Sequence, residues 1–308
     1  MTTPTAHDPL LRYIGDLPPR PMPAALRDAR RDVVAAVGAL RAIPDASLTR
    51  PWAWKGGSEE ELRYGFYRIG EAFELAAIDA GAATRGTGAD RGRAADLIAQ
   101  ATTARWELQG LVIPLASATW DADPGGGEWT IRQTLGHVIA SQRGYGVGTA
   151  WWQANPHRAD DPGLPSAPEA IYDELPSEDA EAEGSPADVR DRLDAVLDLT
   201  TERMAGLPEE RLALAARWSG FAVTVGFRFG RMSSHIREHT IQVEKTLVML
   251  NHRPAEVDRL LRHVLAAWGR AEAVVYAMAE PVDAMGILSS AAADARAVAA
   301  EIAELAGD

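Results

Sequence analysis

In the stretch SSHIREHTIQ, Ser233–Gln242, two histidines stand four residues apart, His235 and His239. On a helix this spacing puts both imidazoles on one face, one turn apart. Both can then reach a single divalent ion at the ~2.0–2.1 Å that zinc requires. The same face carries Gln242 and Thr246, while an apolar stripe of Phe229, Ile236, Val243, Leu247 and Leu250 lies beside it. The pair also fits two half-exposed polar residues, so a metal site needs a third donor. His137, in GEWTIRQTLGHVIASQ, sits two turns into an amphipathic helix built on Ile131, Leu135, Val138 and Ile139. Its helically spaced neighbours Ser141, Gly144 and Gly148 are small, and a face of small residues predicts room beside the ring. Three neutral imidazoles from two helices would leave coordination positions for water or substrate, as an open catalytic site does.

The chain has 308 residues and no cysteine. That removes disulfides, thiolate metal sites and a protein thiol nucleophile, so any thiol chemistry must use the thiol of a small molecule. The net charge of -13 and pI of about 5.0 argue against a nucleic-acid surface. The first residues show no basic region followed by an apolar core, and no run of about 18 apolar residues occurs. A soluble, cytoplasmic protein acting on a small molecule is the expectation. Heavy use of Ala, Arg and Gly suggests a GC-rich genome.

The elements that must position the histidines read as helices almost throughout. The spacing predicts them over 24–43, 58–80, 93–116, 130–152, 185–205, 225–250, 254–278 and 282–305. Ser58 and Thr130 are expected to cap the second and fourth, and Ser185 with Pro186 and Asp188 marks the start of the fifth. No run alternates with period two, so the fold class is all-α. The stretch Gln153–Gly184, rich in Pro, Asp and Glu, is too long for an ordinary loop. It suits the single long connection that some four-helix bundles place between their second and third helices, and also a solvated linker. A weak internal likeness lays Gly56–Gly70 on Gly125–Ile139, with Arg68 where His137 stands, and Pro186–Leu197 on Pro254–Leu265. Shared helix-start rules produce such likeness as readily as duplication does. If duplication is the cause, the outer helical hairpins form a second bundle without histidines.

The phrase EWTIRQTLGHV, followed about a hundred residues later by HIREHTIQ, resembles the DinB/YfiT-like metalloprotein superfamily. The likeness covers about 94–251. It implies a four-helix bundle with a long second connection over 93–252. The regions 1–92 and 253–308 would then be added helical hairpins that pack on the bundle or on each other. It further implies a divalent ion, zinc or nickel, on His137, His235 and His239. Relatives of this kind include mycothiol-dependent maleylpyruvate isomerase and thiol S-transferases, in which the metal binds the cofactor's sulfur and lowers its pKa. A mycothiol-like cofactor suits a chain with no cysteine of its own, and such bundles often pair as homodimers.

Rival patterns are weaker. HIREH also matches the inverted zincin motif H-x-x-E-H, with Glu238 as general base of a metallohydrolase. That reading leaves His137 unexplained, and Glu238 points about 100° away from His239 around the helix. The iron-dependent ergothioneine sulfoxide synthases continue the pair as H-x-x-x-H-x-E, where this chain has Ile241. A non-catalytic helical protein with a structural ion would need a fourth ligand, and none is evident. Arg228 and Arg231, two turns and one turn before His235, are candidates to bind a carboxylate of cofactor or substrate, as are Gln142 and Arg143 near His137. Surface arginines covering apolar neighbours are the plain alternative. Trp129 is expected in the core, and Tyr145, Trp151 and Trp152 in a pocket wall or the core. His7, His157, His252 and His263 have no partners in the sequence. No catalytic residue is assigned.

Overall fold

The computed structural model describes residues 9–86, 91–161, 163–276, 278 and 282–307. After a single turn, α1 (Leu11–Ile14), the chain enters α2 (Ala24–Arg41), whose Leu26, Val33, Val37 and Leu40 are buried. A two-residue antiparallel pair, β1 (Pro51–Trp52) with β2 (Glu60–Glu61), precedes α3 (Arg63–Gly86). Ser58 therefore does not cap α3: residues 60 and 61 are pinned in extended form against 51 and 52, and the helix starts later.

Next come α4 (Arg93–Val112), the single turn α5 (Ser117–Trp120) and α6 (Ile131–Ala154), which carries His137. Thr130 caps α6 as expected, in a capping box in which its hydroxyl accepts from the Gln133 amide and the Gln133 side chain accepts from the Thr130 amide. The connection from 155 to 185 holds two 3-10 turns, Pro156–Arg158 and Glu169–Ile171, and then a short α-helix, α7 (Glu178–Ala182), which packs on α6. Ser185 and Asp188 form a second capping box at the start of α8 (Pro186–Met204).

The turn α9 (Glu209–Leu212) leads into a hairpin of β3 (Ala215–Trp218) and β4 (Phe221–Thr224). Its central residues Ser219 and Gly220 both have positive φ, which a two-residue type I′ turn demands. Thr224 then caps α10 (Val225–Met249), the helix of His235 and His239. The chain ends with α11 (Glu256–Val275) and α12 (Val282–Gly307). The two small hairpins are the departures from a purely helical reading; the protein is all-α.

Four helices surround the histidines. Both α4 and α6 pack against α8 and α10, which closes a ring. Within it the apolar stripe of α10, Phe229, Ile236, Val243 and Leu247, meets Ile131, Leu135, Val138 and Ile139 of α6 in one continuous core. Each such fully buried aliphatic side chain contributes about 1.5–3 kcal/mol. The outer helices repeat the arrangement: α2 and α3 each pack against α11 and α12. The two rings meet where α11 lies along α4. That seam contains a buried polar network, in which Arg30, Arg105 and Trp106 all donate to Glu272 and both arginines also reach Asp198. Among the described residues, no helix is long and apolar enough to cross a membrane.

Candidate metal centre

His137 on α6 and His235 and His239 on α10 come together, each offering a ring nitrogen within 4.8 Å of the others. Ring centroids lie 4.3 Å apart for His235–His239, 4.8 Å for His137–His239 and 5.2 Å for His137–His235. The helix spacing supplies the first pair and the packing of α6 on α10 supplies the third ring. The Nε2 atoms of His235 and His239 are 3.0 Å apart. Two donors held ~2.0–2.1 Å from one ion lie roughly 3 Å apart at coordination angles of 90–109°.

The outer nitrogens show which way the rings are turned. His137 Nδ1 lies 2.7 Å from Glu178 Oε1, and His239 Nδ1 lies 2.6 Å from Gln242 Oε1. Carboxylate and amide oxygens accept, so each of these rings carries its proton on Nδ1 and turns an Nε2 lone pair inward. His235 Nδ1 is buried with no partner. With the proton there, His235 also turns an Nε2 lone pair toward that of His239, 3.0 Å away, and a cation among the three clustered rings relieves the repulsion. Burial, followed by the neighbouring His239 and His137, pushes the His235 pKa down to about 3, and burial also lowers that of His239. Both rings are therefore neutral near pH 7, the form that binds metal.

Glu178 is the partner that sequence reasoning missed. It reaches His137 because α7 lies directly on α6 at Gly136. A Cβ at that position would stand 2.5 Å from the Glu178 carbonyl oxygen and 2.8 Å from Ala182 Cβ. The glycine immediately before the histidine was the available signal, since such close helix contact excludes any side chain.

The remaining expected residues divide. Trp129 is not in the core: it is 37% exposed, and its ring lies 5.0 Å from His137, at the mouth of the site. The Thr130 cap sets the start of α6 immediately after Trp129, which leaves the indole outside the helix. Tyr145 packs edge-on to His235 at 5.1 Å, whereas Trp151 and Trp152 are core. The face of small residues is not open space. Tyr172, from the connection before α7, lies against Gly144 and Gly148, and Arg228 fills the rest of the Gly148 cleft. Arg231 pairs with Glu238 at 2.8 Å and hydrogen-bonds Ser234 Oγ at 3.0 Å. Gln142 is fully buried and donates to the Met232 carbonyl, bolting α6 to α10. Arg143 pairs with Glu181 and borders a small cavity beside Leu10, Val147, Val196 and Thr200, so it is not brought to the histidines. His263 packs between Gly70 and Tyr67, away from the centre. His157 and His252 lie in or next to connecting turns, and His7 lies outside the described residues.

No curated protein and no solved structure matches the chain. The model of the DinB superfamily matches residues 100–243, a span that opens within α4, closes within α10 and contains His137, His235 and His239. That segment, just under half of the chain, is similar to the DinB superfamily.

Proposed function

We propose that His137, His235 and His239 hold a divalent cation, zinc or nickel, and that the protein is an enzyme using a mycothiol-like low-molecular-weight thiol in S-transfer to, or isomerisation of, a small electrophile. The observation that carries this reading is the convergence of three imidazoles, two of which have their outer nitrogens held by Glu178 and Gln242. When bound, the ion supplies Lewis-acid charge that stabilises a thiolate at neutral pH.

The chain's own residues have separate tasks. Glu178 fixes the ring plane and tautomer of His137, and Gln242 does the same for His239. Among the described residues the ligand group contains histidines alone, which leaves the remaining coordination positions to small molecules. Trp129 and Tyr145 wall the site with apolar rings that limit water. A hydrolytic reading needs a free carboxylate as base. Glu238 is committed to Arg231 and Glu178 to His137, so thiol chemistry is favoured over activation of water.

The test is metal analysis followed by turnover assays. About one ion per chain is expected in the wild type and none in His137→Ala. An electrophile should then be consumed only when mycothiol is supplied. Thiol-independent ester hydrolysis would replace this reading with a hydrolase, and a wild type purified with no divalent ion and binding none would end it.

Glu178→Ala gives a graded check. Losing the partner that orients His137 should weaken metal affinity about 10- to 100-fold, as read by competition with a chelator. Unchanged affinity would mean that α7 only covers the site.

A further inference from the structure

Arg228 sits two turns before His235 on α10 and is 3% exposed. One of its terminal nitrogens donates to the Arg217 carbonyl at 2.8 Å, and the other lies at the Tyr172 hydroxyl in the Gly148 cleft. Its Nε is buried and has no partner. The ionisable groups acting on it are two neutral phenols, Tyr172 and Tyr145; no carboxylate is among them. Among the described residues the other arginine buried this deeply has acidic company: Arg105, at 0% exposure, faces Asp194, Asp198 and Glu272. A buried cation without a counter-charge is costly to the fold, and a guanidinium does not escape the cost by losing its proton.

The surroundings supply the rest of an anion subsite. Arg228 and Arg231 both place their guanidinium carbons over the Trp218 ring, at 5.2 and 5.4 Å from its centroid. The Tyr145 ring touches that of Trp218 on one side and that of His235 on the other. Glu238 neutralises one of the two guanidinium charges, which leaves one positive charge joined to the histidines through the ring contacts of Trp218 and Tyr145. Gly148 allows this, because a Cβ there would stand 2.5 Å from the Arg228 nitrogen and 2.6 Å from the Tyr172 oxygen.

We propose that Arg228, seconded by Arg231, binds a carboxylate carried by the small molecule that reacts at the three histidines, so that the site selects an elongated monocarboxylate. The proposal rests on the histidines being the reaction centre. Arg228 and His235 are seven residues apart, about 10 Å along the helix, so the carboxylate and the reacting atom are separated by a chain of several atoms. Tyr172 supplies the hydroxyl that the carboxylate oxygen replaces.

The test uses metal-loaded, full-length protein, with hexanoate as probe, hexanamide as its neutral counterpart, and a mercaptohexanoate bearing its thiol at the far end. The wild type should prefer hexanoate over hexanamide by about 10- to 100-fold, the range of a charge-assisted pair. Arg228→Met should lose that preference, keep its metal and melt no lower than the wild type, since an unpaired buried charge has been removed. Tyr172→Phe should bind hexanoate about fivefold tighter, because one competing hydrogen bond has gone. A thiol that strengthens binding assigns the carboxylate to the thiol cofactor; a thiol without effect assigns it to the electrophile. Equal binding of hexanoate and hexanamide by the wild type, or a preference that survives in Arg228→Met, overturns the proposal. So does Tyr172→Phe binding no tighter, which decides the matter if the methionine variant does not fold. Metal content is measured on the same samples, so failure of the metal reading appears separately from failure of the carboxylate subsite.

Discussion

The His235→Ala protein is expected to retain no divalent ion and to show no thiol-dependent turnover, and its apo form should be less sensitive to acid than the wild-type apo protein. The first part follows from losing the ligand that is most buried of the three. The second follows from linkage. In the folded chain His235 has its pKa pushed down to about 3, chiefly by burial and then by His239 and His137. In the unfolded chain an ordinary histidine titrates near 6.5. Between those values the unfolded state takes up a proton that the folded state refuses. Stability therefore falls as pH drops through this window and is unaffected above it. The full difference is on the order of 3–5 kcal/mol. Alanine also leaves a cavity, which costs stability at every pH. The informative quantity is accordingly the change in unfolding free energy between pH 7 and pH 4, from urea titrations of both apo proteins. An equal drop in both would show that His235 does not govern acid sensitivity. In the metal-loaded wild type the ion and the proton compete for the same lone pairs, so acid favours release of the metal.

Much of this site was legible before any coordinates. The four-residue spacing in HIREH and the amphipathic frame around His137 were enough to place three imidazoles on helix faces. Thr130, Ser185 and Pro186 marked helix starts that the structure keeps. What escaped had no local signature. Glu178 lies 41 residues after His137, in a segment whose acidic composition resembles a solvated linker. Only the need for glycine at 136 hinted that something packs there. The hairpin before α10 escaped because its strands are four residues long and half exposed, so no alternation builds up. Trp129 was misplaced for a related reason: large aromatics are mostly core, and nothing in the residue type shows which way an indole just before a helix cap will point. Arg228 could be placed on the histidine side of α10 by counting, but its lack of a carboxylate partner is a property of packing alone.

The buried seam between the two helical rings carries the largest expected effect on stability. Glu272 on α11 is fully buried and accepts from Arg30 at 2.5 and 3.1 Å, from Arg105 at 2.6 Å and from the Trp106 indole at 2.9 Å. Arg30 belongs to α2 and Arg105 to α4, so one carboxylate joins the outer helices to the ring that holds the histidines. Glu272→Ala leaves two buried guanidiniums sharing Asp198, with Asp194 3.5 Å from Arg105 as a weaker partner. Stranding a buried charge in this way costs about 3–5 kcal/mol. Removing Arg105 as well changes the outcome. Arg30 and Asp198 then remain as a matched bidentate pair at 2.7 and 3.0 Å, and apolar residues fill the vacated space. The double variant Arg105→Met, Glu272→Met should therefore recover most of the loss, because the interior requires balanced charge more than it requires these particular charges. Urea unfolding of the wild type, both single variants and the double variant measures the coupling. If the double loss instead equals the sum of the single losses, the network is not a charge-balanced unit, and the two rings are held in register by apolar packing of α4 on α11 alone.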